Sequence, residues 1–244
     1  MLKIVFKICC GIDVHKDFVV ACIAKTDDKN VTTYQTKRFS TFTNGLRELS
    51  EWLCSNSCKD VCMESTGKYW YPVFNILEDS CKVIVAHPKY VKAIRGKKTD
   101  KKDAKWIADL FKHDLVVSSF IPARTIRQLR DLCRYYCKLT YLTSSETQRT
   151  QNCLTVSNIQ LANVVSDING KSAQKILAKI LENPDDTSFD IEPLLHKSML
   201  PKLDDIALAI DGVITTEQAS KLKIIRKHFD NLNICKSDLE NLIY

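Results

Sequence analysis

Three runs rich in apolar or β-branched residues follow one another early in the chain with only short polar connections, and this pattern constrains the fold more than any other. They are Ile8 to Val14, Phe18 to Ala24 and Val31 to Phe39, with Asp27-Asp28-Lys29-Asn30 as the turn before the third. Connections this short join antiparallel neighbours, so the pattern predicts a three-stranded meander. The period then changes. Leu46, Leu49, Trp52 and Leu53 mark a helical face over Asn44 to Cys54, with Thr43 as N-cap. Asp60 to Met63 reads as a fourth strand ending at Glu64, Tyr69 to Asp79 as a helix, and Lys82 to Ala86 as a fifth strand stopped by His87-Pro88. Helices follow from Pro88 to Ile94 and from Asp100 to Phe111.

The order β-β-β-α-β-α-β-α is that of the ribonuclease H-like fold, and also of the core of the actin and sugar-kinase domains. From Ile121-Pro122 onward the strand signals fade. Pro122 opens a helical stretch to about Cys153 in which Ile126, Leu129, Leu132, Cys133, Tyr136, Leu139 and Leu142 recur every three or four residues. Ser172 to Leu181, Glu192 to Lys197 and Asp204 to Ile210 read as short helices. Thr216, a candidate N-cap, opens a long one to Leu242, with Ala219, Leu222, Ile225, Phe229, Leu232, Ile234, Leu239 and Leu242 as its apolar positions. The expected class is α/β then all-α, a domain over residues 1–120 followed by a helical, coiled-coil region over 121–244.

At 244 residues the chain suffices for one large domain or two small ones, and a net charge of +7 suits a polyanionic partner. The eleven cysteines form no Cys-x-x-Cys pair and do not cluster with the five histidines, which argues for reduced, mostly buried thiols rather than a metal cluster or disulfide framework. No apolar run is long enough to cross a bilayer, and the lysine-broken start carries no signal peptide, so a cytoplasmic protein with no membrane partner is expected.

The acids carry the chemistry. Asp13 closes the first strand next to Gly11, and Glu64 closes the fourth. Strands one and four are neighbours in a sheet of this order. Asp100 and Asp103, three apart, share one helical face that can pack across the sheet. Four carboxylates in one place need cations to stay ionised, and oxygen ligands suit Mg²⁺ or Mn²⁺ in a two-metal site for phosphoryl transfer. Around them lie eight basic residues, Lys89, Lys92, Arg95, Lys97, Lys98, Lys101, Lys102 and Lys105. The competing reading is charge balance, with Thr99 as N-cap, Asp100 in the first turn and Asp103 pairing with lysines. His15 reads as an exposed hairpin residue, and Asp17 and Asp60 as surface charges. On the long helix Arg124, Arg127, Arg130, Arg134, Lys138 and Arg149, near Tyr135, Tyr136 and Tyr141, suit a nucleic-acid backbone with aromatic stacking, while the apolar stripe suits core or coiled-coil packing.

Three blocks together resemble the signature of the DEDD-type transposases of insertion sequence 110, which include the Piv invertases. They are Gly11-Ile12-Asp13-Val14-His15-Lys16, Met63-Glu64-Ser65-Thr66-Gly67 and Lys98-Thr99-Asp100-Lys101-Lys102-Asp103-Ala104, with His87-Pro88 and Ala108-Asp109-Leu110 as further points of likeness. The resemblance implies a RuvC-like domain with Asp13, Glu64, Asp100 and Asp103 as catalytic, metal-binding tetrad. It also implies a recombinase that moves a DNA element by cutting and joining strands, and an element-encoded guide RNA as a second partner. The helical region resembles the coiled coil that follows that domain, which suggests a homodimer or homotetramer.

Family members continue into a domain with a serine nucleophile. The sequence ends at Tyr244 with no matching motif around Ser198, Ser220 or Ser237, so the reading here is of a chain cut before that domain. Three alternatives stand beside the transposase. One is a catalytically incomplete binding remnant, which binds nucleic acid with strong salt dependence and no cleavage. Another is a stand-alone Holliday-junction-type nuclease. The third is an actin-like kinase, against which the absence of a late glycine-rich turn counts.

Overall fold

A computed structural model describes residues 2–65, 67–91, 100–184 and 188–243. The chain divides into two compact units, Met1–Pro122 and Ala123–Tyr244. The first is built on five strands, β1 (Ile8–Val14), β2 (Phe18–Thr26), β3 (Thr32–Ser40), β4 (Asp60–Glu64) and β5 (Lys82–Ala86), in the order β3-β2-β1-β4-β5. β2 runs antiparallel to β1 and β3, whereas β4 is parallel to β1 and β5. The expected meander and the expected β1–β4 neighbourhood are both present, and this topology is ribonuclease H-like.

Helices cover both faces of the sheet, which is why β1 and β2 are continuous apolar runs rather than alternating ones. On one face α1 (Thr43–Ser55) and α2 (Trp70–Leu77) bury Leu46, Leu49, Leu53, Val73 and Leu77 against Ile12, Ile23, Val61 and Met63. Thr43 is the first helical residue, not the cap. Phe42 holds the cap position with extended backbone and no capping side chain. α3 (Pro88–Val91) follows β5, and the remainder of the expected helix to Ile94 lies outside the described residues. On the other face α4 (Asp100–Lys112) lays Ala104, Ile107, Ala108 and Phe111 over Cys9, Cys22, Cys62 and Ala86.

Two features fix α4. Its backbone crosses β1 at Gly11, where an added Cβ would fall inside contact distance of the Ala104 carbonyl oxygen and the Ala108 amide nitrogen, and 2.9 Å from the Ala108 Cα. Near its C-terminus, Lys112 is only 8% exposed and donates to Asp109 (3.0 Å), to the Tyr34 hydroxyl (3.2 Å) and to Thr32 Oγ1 (3.3 Å). The Tyr34 hydroxyl donates to Asp109 in turn, and Lys105 lies 4.1 Å over the Tyr34 ring. Burial works against the Lys112 cation, but its bonds to Asp109 and Tyr34 outweigh that and leave its pKa raised.

The second unit is helical: α5 (Arg124–Val156), α6 (Leu161–Val164), α7 (Lys171–Glu182), α8 (Leu203–Ile210) and α9 (Thr216–Ile243). Pro122 does not open α5, because Ala123 is extended and the helix begins at Arg124. Where Glu192 to Lys197 reads as one short helix, there are two 3₁₀ segments, Glu192–Leu194 and Lys197–Lys202, and Pro201 lies inside the second. α5 and α9 pair antiparallel, with Leu139 packed on Leu232 and Leu239, and Tyr136 donating to Glu240 (2.6 Å). Tyr136 is thus a packing residue, whereas Tyr135 and Tyr141 are exposed. Ile126, Leu129, Cys133, Leu142, Ile234 and Leu242, expected in the apolar stripes, are exposed. Ile234 is two residues past the buried Leu232, which turns it to the far side of the helix.

Gly11→Ala is expected to destabilise the protein by about 3 kcal/mol, because backbone cannot move aside as a side chain can. Urea denaturation measures this. A loss below about 1 kcal/mol would show that α4 lifts off β1 without strain.

Candidate functional site

Gly11 pairs with Cys62 and Ile12 with Met63 across the parallel β1–β4 ladder. The next positions, Asp13 and Glu64, therefore fall side by side at the C-terminal ends of the two strands. Alternation puts both on the face of Gly11 and Cys62, the one α4 covers. Open sheets bind ligands beyond the carboxyl ends of parallel strands, so the placement is apt.

α4 supplies the other acids. Its sheet-facing stripe runs from Phe111 through Ile107, Ala108 and Ala104 toward the N-terminus, and Asp103 and Asp100 continue the same stripe. The stripe is apolar over the sheet and acidic where the helix reaches the strand ends. Asp13, His15 and Asp100 each bring one donor atom to within 4.8 Å of the other two, and among the described residues they form the one such group of three or more. His15 Nε2 is 3.0 Å from Asp13 Oδ2 and 3.7 Å from Asp100 Oδ1. The side chains of Asp13, His15 and Asp100 are 13%, 38% and 49% exposed, so the site opens to solvent from a buried floor.

The electrostatics follow the geometry. Burial raises the Asp13 pKa. The neighbouring His15 pulls it back by charge and hydrogen bond, and the charges of Asp103 and Asp100 push it up again, leaving it above the usual carboxylate value. A carboxyl so placed is short of positive charge. The structure thus brings Asp13 and Asp100 together and sets Asp103 within electrostatic reach. Glu64 sits on the adjoining strand, outside the 4.8 Å group.

His15 is the residue that sequence reasoning missed. It is not an exposed hairpin side chain but a half-buried neighbour of two acids. Its one sequence signal was its place two residues after Asp13, where the β1–β2 turn folds it back.

Seven of the thiols are buried, and Cys54, Cys133, Cys137 and Cys235 are exposed. All eleven are free, and burial pushes Cys9, Cys58 and Cys62 up to about 12, far from a reactive thiolate. Of the basic residues, Lys89, Lys101, Lys102 and Lys105 are exposed in the first unit. Arg124, Arg130 and Arg134 are exposed on α5, and Arg127 is half-buried. Lys92, Arg95, Lys97 and Lys98 lie outside the described residues, as does Thr99. No described helix is long and apolar enough to cross a membrane.

A model of the DEDD transposase family of insertion sequence 110, described as a transposase, matches residues 10–159, a span that holds Asp13, Glu64, Asp100 and Asp103. No curated protein matches the sequence significantly. Among solved structures the chain is similar to the fowlpox virus resolvase in complex with Holliday junction DNA, at 20% identity over 43% of this chain and 72% of that one, with a TM-score of 0.28. It is also similar to Thermus thermophilus RuvC, at 13% identity over 41% of this chain and 90% of that one, with a TM-score of 0.32. RuvC from the same organism in complex with a Holliday junction substrate gives 11% identity, 46% and 99% coverage and a TM-score of 0.32.

Neutralising the helix acids should relax Asp13. In metal-free Asp100→Asn/Asp103→Asn protein its pKa is expected to fall, because two charges that oppose its ionisation are gone. Carboxyl-carbon NMR titration reads this directly. An unchanged pKa would mean that the α4 acids do not face Asp13.

Proposed function

Because the chain belongs to the DEDD transposase family of insertion sequence 110, we propose that its first unit cuts and joins DNA strands at a divalent-metal centre on the carboxyl ends of β1 and β4. The carrying observation is the convergence of Asp13 from the sheet and Asp100 from α4 on one half-buried spot. The donor set fits a hard divalent cation, with carboxylate oxygens within a few ångströms of one another and an Asp13 whose burial calls for a positive neighbour.

In this reading Asp13, Glu64, Asp100 and Asp103 hold Mg²⁺ or Mn²⁺. Such an ion supplies charge stabilisation at a phosphoryl oxygen and a lowered pKa for attacking water. The protein's own part is to fix these acids on rigid elements and to seat the phosphate chain. Lys101, Lys102 and Lys105 stand on the acid-bearing helix and lie exposed. They and Lys89, with Lys92, Arg95, Lys97 and Lys98 of the neighbouring segment, are assigned to the DNA strand at the centre.

The second unit is assigned to nucleic-acid binding and self-association, with residues 1–120 as catalytic domain and 121–244 as helical region. Arg124, Arg127, Arg130 and Arg134 are spaced for a phosphate backbone, and the exposed Tyr135 and Tyr141 offer stacking surfaces. An element-encoded guide RNA is the second ligand proposed for this face. The exposed Ile126 and Leu129 on α5 support a homodimer or homotetramer through the helices.

Calorimetry with Mn²⁺ tests the centre. Binding is expected to require Asp100 and Asp103, to vanish in Asp100→Ala/Asp103→Ala, and to strengthen when branched DNA is present. Metal indifference with intact, salt-sensitive binding would leave a binding protein without chemistry. Cleavage of branched DNA in Mg²⁺ should fall by about 10³-fold or more in Asp13→Asn, the loss expected when several kcal/mol of metal-derived stabilisation is removed.

The basic helix has its own test. Arg130→Ala is expected to weaken DNA or RNA binding about equally across sequences and to reduce the slope of log affinity against log salt by about 1. An unchanged slope would place the phosphate chain elsewhere.

A further inference from the structure

We propose that His15 is a ligand of the metal, giving Nε2 to the ion that Asp13 and Asp100 hold, so that the centre is a mixed nitrogen and oxygen site rather than an all-carboxylate one. The proposal rests on the metal reading above and deepens it.

Distances carry the first part of the argument. Octahedral ions with bonds of about 2.1 Å place adjacent donors about 3.0 Å apart and opposite donors about 4.2 Å apart. His15 Nε2 stands 3.0 Å from Asp13 Oδ2 and 3.7 Å from Asp100 Oδ1, between those limits for both. A histidine that merely hydrogen-bonds Asp13 has no need of the second acid, which comes from a different element. A nitrogen set between two carboxylates is arranged as a ligand set is arranged.

The second part is how the ring is held. The His15 amide donates to the Phe18 carbonyl (3.0 Å) and closes the turn between β1 and β2. Its imidazole lies against the Phe18 ring, with centroids 4.5 Å apart and planes 31° from parallel. The Arg38 guanidinium of β3 lies 3.5 Å from the centroid of the same Phe18 ring. The turn and the Phe18 stack therefore set the direction of Nε2 before any ion arrives. Such preorganisation is what a ligand needs and what a solvent-facing turn residue does not.

The chemistry has a consequence. Mg²⁺ takes oxygen donors and keeps its waters, whereas a nitrogen donor favours first-row transition ions. The site therefore favours Mn²⁺ over Mg²⁺ by more than its carboxylates alone account for.

Pulsed EPR of Mn²⁺ bound to the 244-residue chain tests this without reference to activity. The expected result is ¹⁴N modulation from one imidazole, lost in both His15→Ala and His15→Gln. In each variant Mn²⁺ affinity falls about tenfold, the scale on which altering a metal site weakens binding, while Mg²⁺ affinity holds within about twofold. His15→Gln keeps a polar side chain in the turn, and circular dichroism confirms that it folds. Mn²⁺ binding that depends on Asp13 and Asp100 but carries no ¹⁴N signal would overturn the His15 assignment and leave the carboxylate centre standing. Absence of any Asp100-dependent Mn²⁺ binding would overturn both.

Discussion

The close passage of the α4 backbone over Gly11 is the contact on which the rest of the site depends. No side chain separates helix from strand there, so the height of α4 above β1 is set by main-chain atoms rather than by adaptable packing. That height decides how far Asp100 and Asp103 stand from Asp13. The apolar stripe of Ala104, Ile107, Ala108 and Phe111 fixes the rotation of the helix, and small residues at 104 and 108 permit the approach. Position 11 therefore serves the site without touching a ligand. The fold subordinates one strand residue to the placement of two acids on another element.

Much of this was legible in the sequence. β1 and β5 were readable to their ends and the other strands to within a residue or two; β1 and β2, buried on both faces, show as unbroken apolar runs, whereas the polar edge strand β3 was marked by its β-branched residues and the turn before it. The Asp-x-x-Asp spacing announced a shared helix face, and the strand order put Asp13 beside Glu64. What the sequence hid were contacts between elements distant in the chain. His15 looked like a turn residue because its second acidic neighbour, Asp100, is 85 positions away. Asp109 and Lys112 sit three apart on α4 with nothing in the sequence to mark them as a partly buried pair. Their partners, Tyr34 and Thr32, belong to an edge strand whose pairing with α4 no local pattern declares. The apolar stripe of α5 showed its period but not its partner. Burial begins only where α9 lies alongside, so Leu139 is buried and Ile126 is not.

The buried side of α4 and its outer side divide the electrostatic work. Inward, Asp13, Asp103 and Asp100 repel one another, and burial makes this worse for Asp13. Outward, Lys101, Lys102 and Lys105 of the same helix lie exposed, where screening weakens their pull on the acids. Lys105 lies over the Tyr34 ring, and in the proposed function the exposed lysines of this helix face the phosphate chain beside the acids.

Repulsion among the acids would push the N-terminus of α4 away from the strand ends if the helix were free to tilt. It is held at two points along its length, by the backbone contact at Gly11 and by the Lys112 network with Asp109, Tyr34 and Thr32. Lys112 is almost wholly buried and hydrogen-bonded by all three partners, and removing one partner of such a group costs more than the interaction contributes when complete. The lock therefore resists the tilt that the acids favour. A site whose charges are held together by packing keeps that repulsion, and under the proposed function a bound cation would recover the energy as affinity. The two restraints on α4 are in this sense part of the proposed metal centre, one of them beside the acids at Gly11 and Ala104 and the other at the far end of the helix.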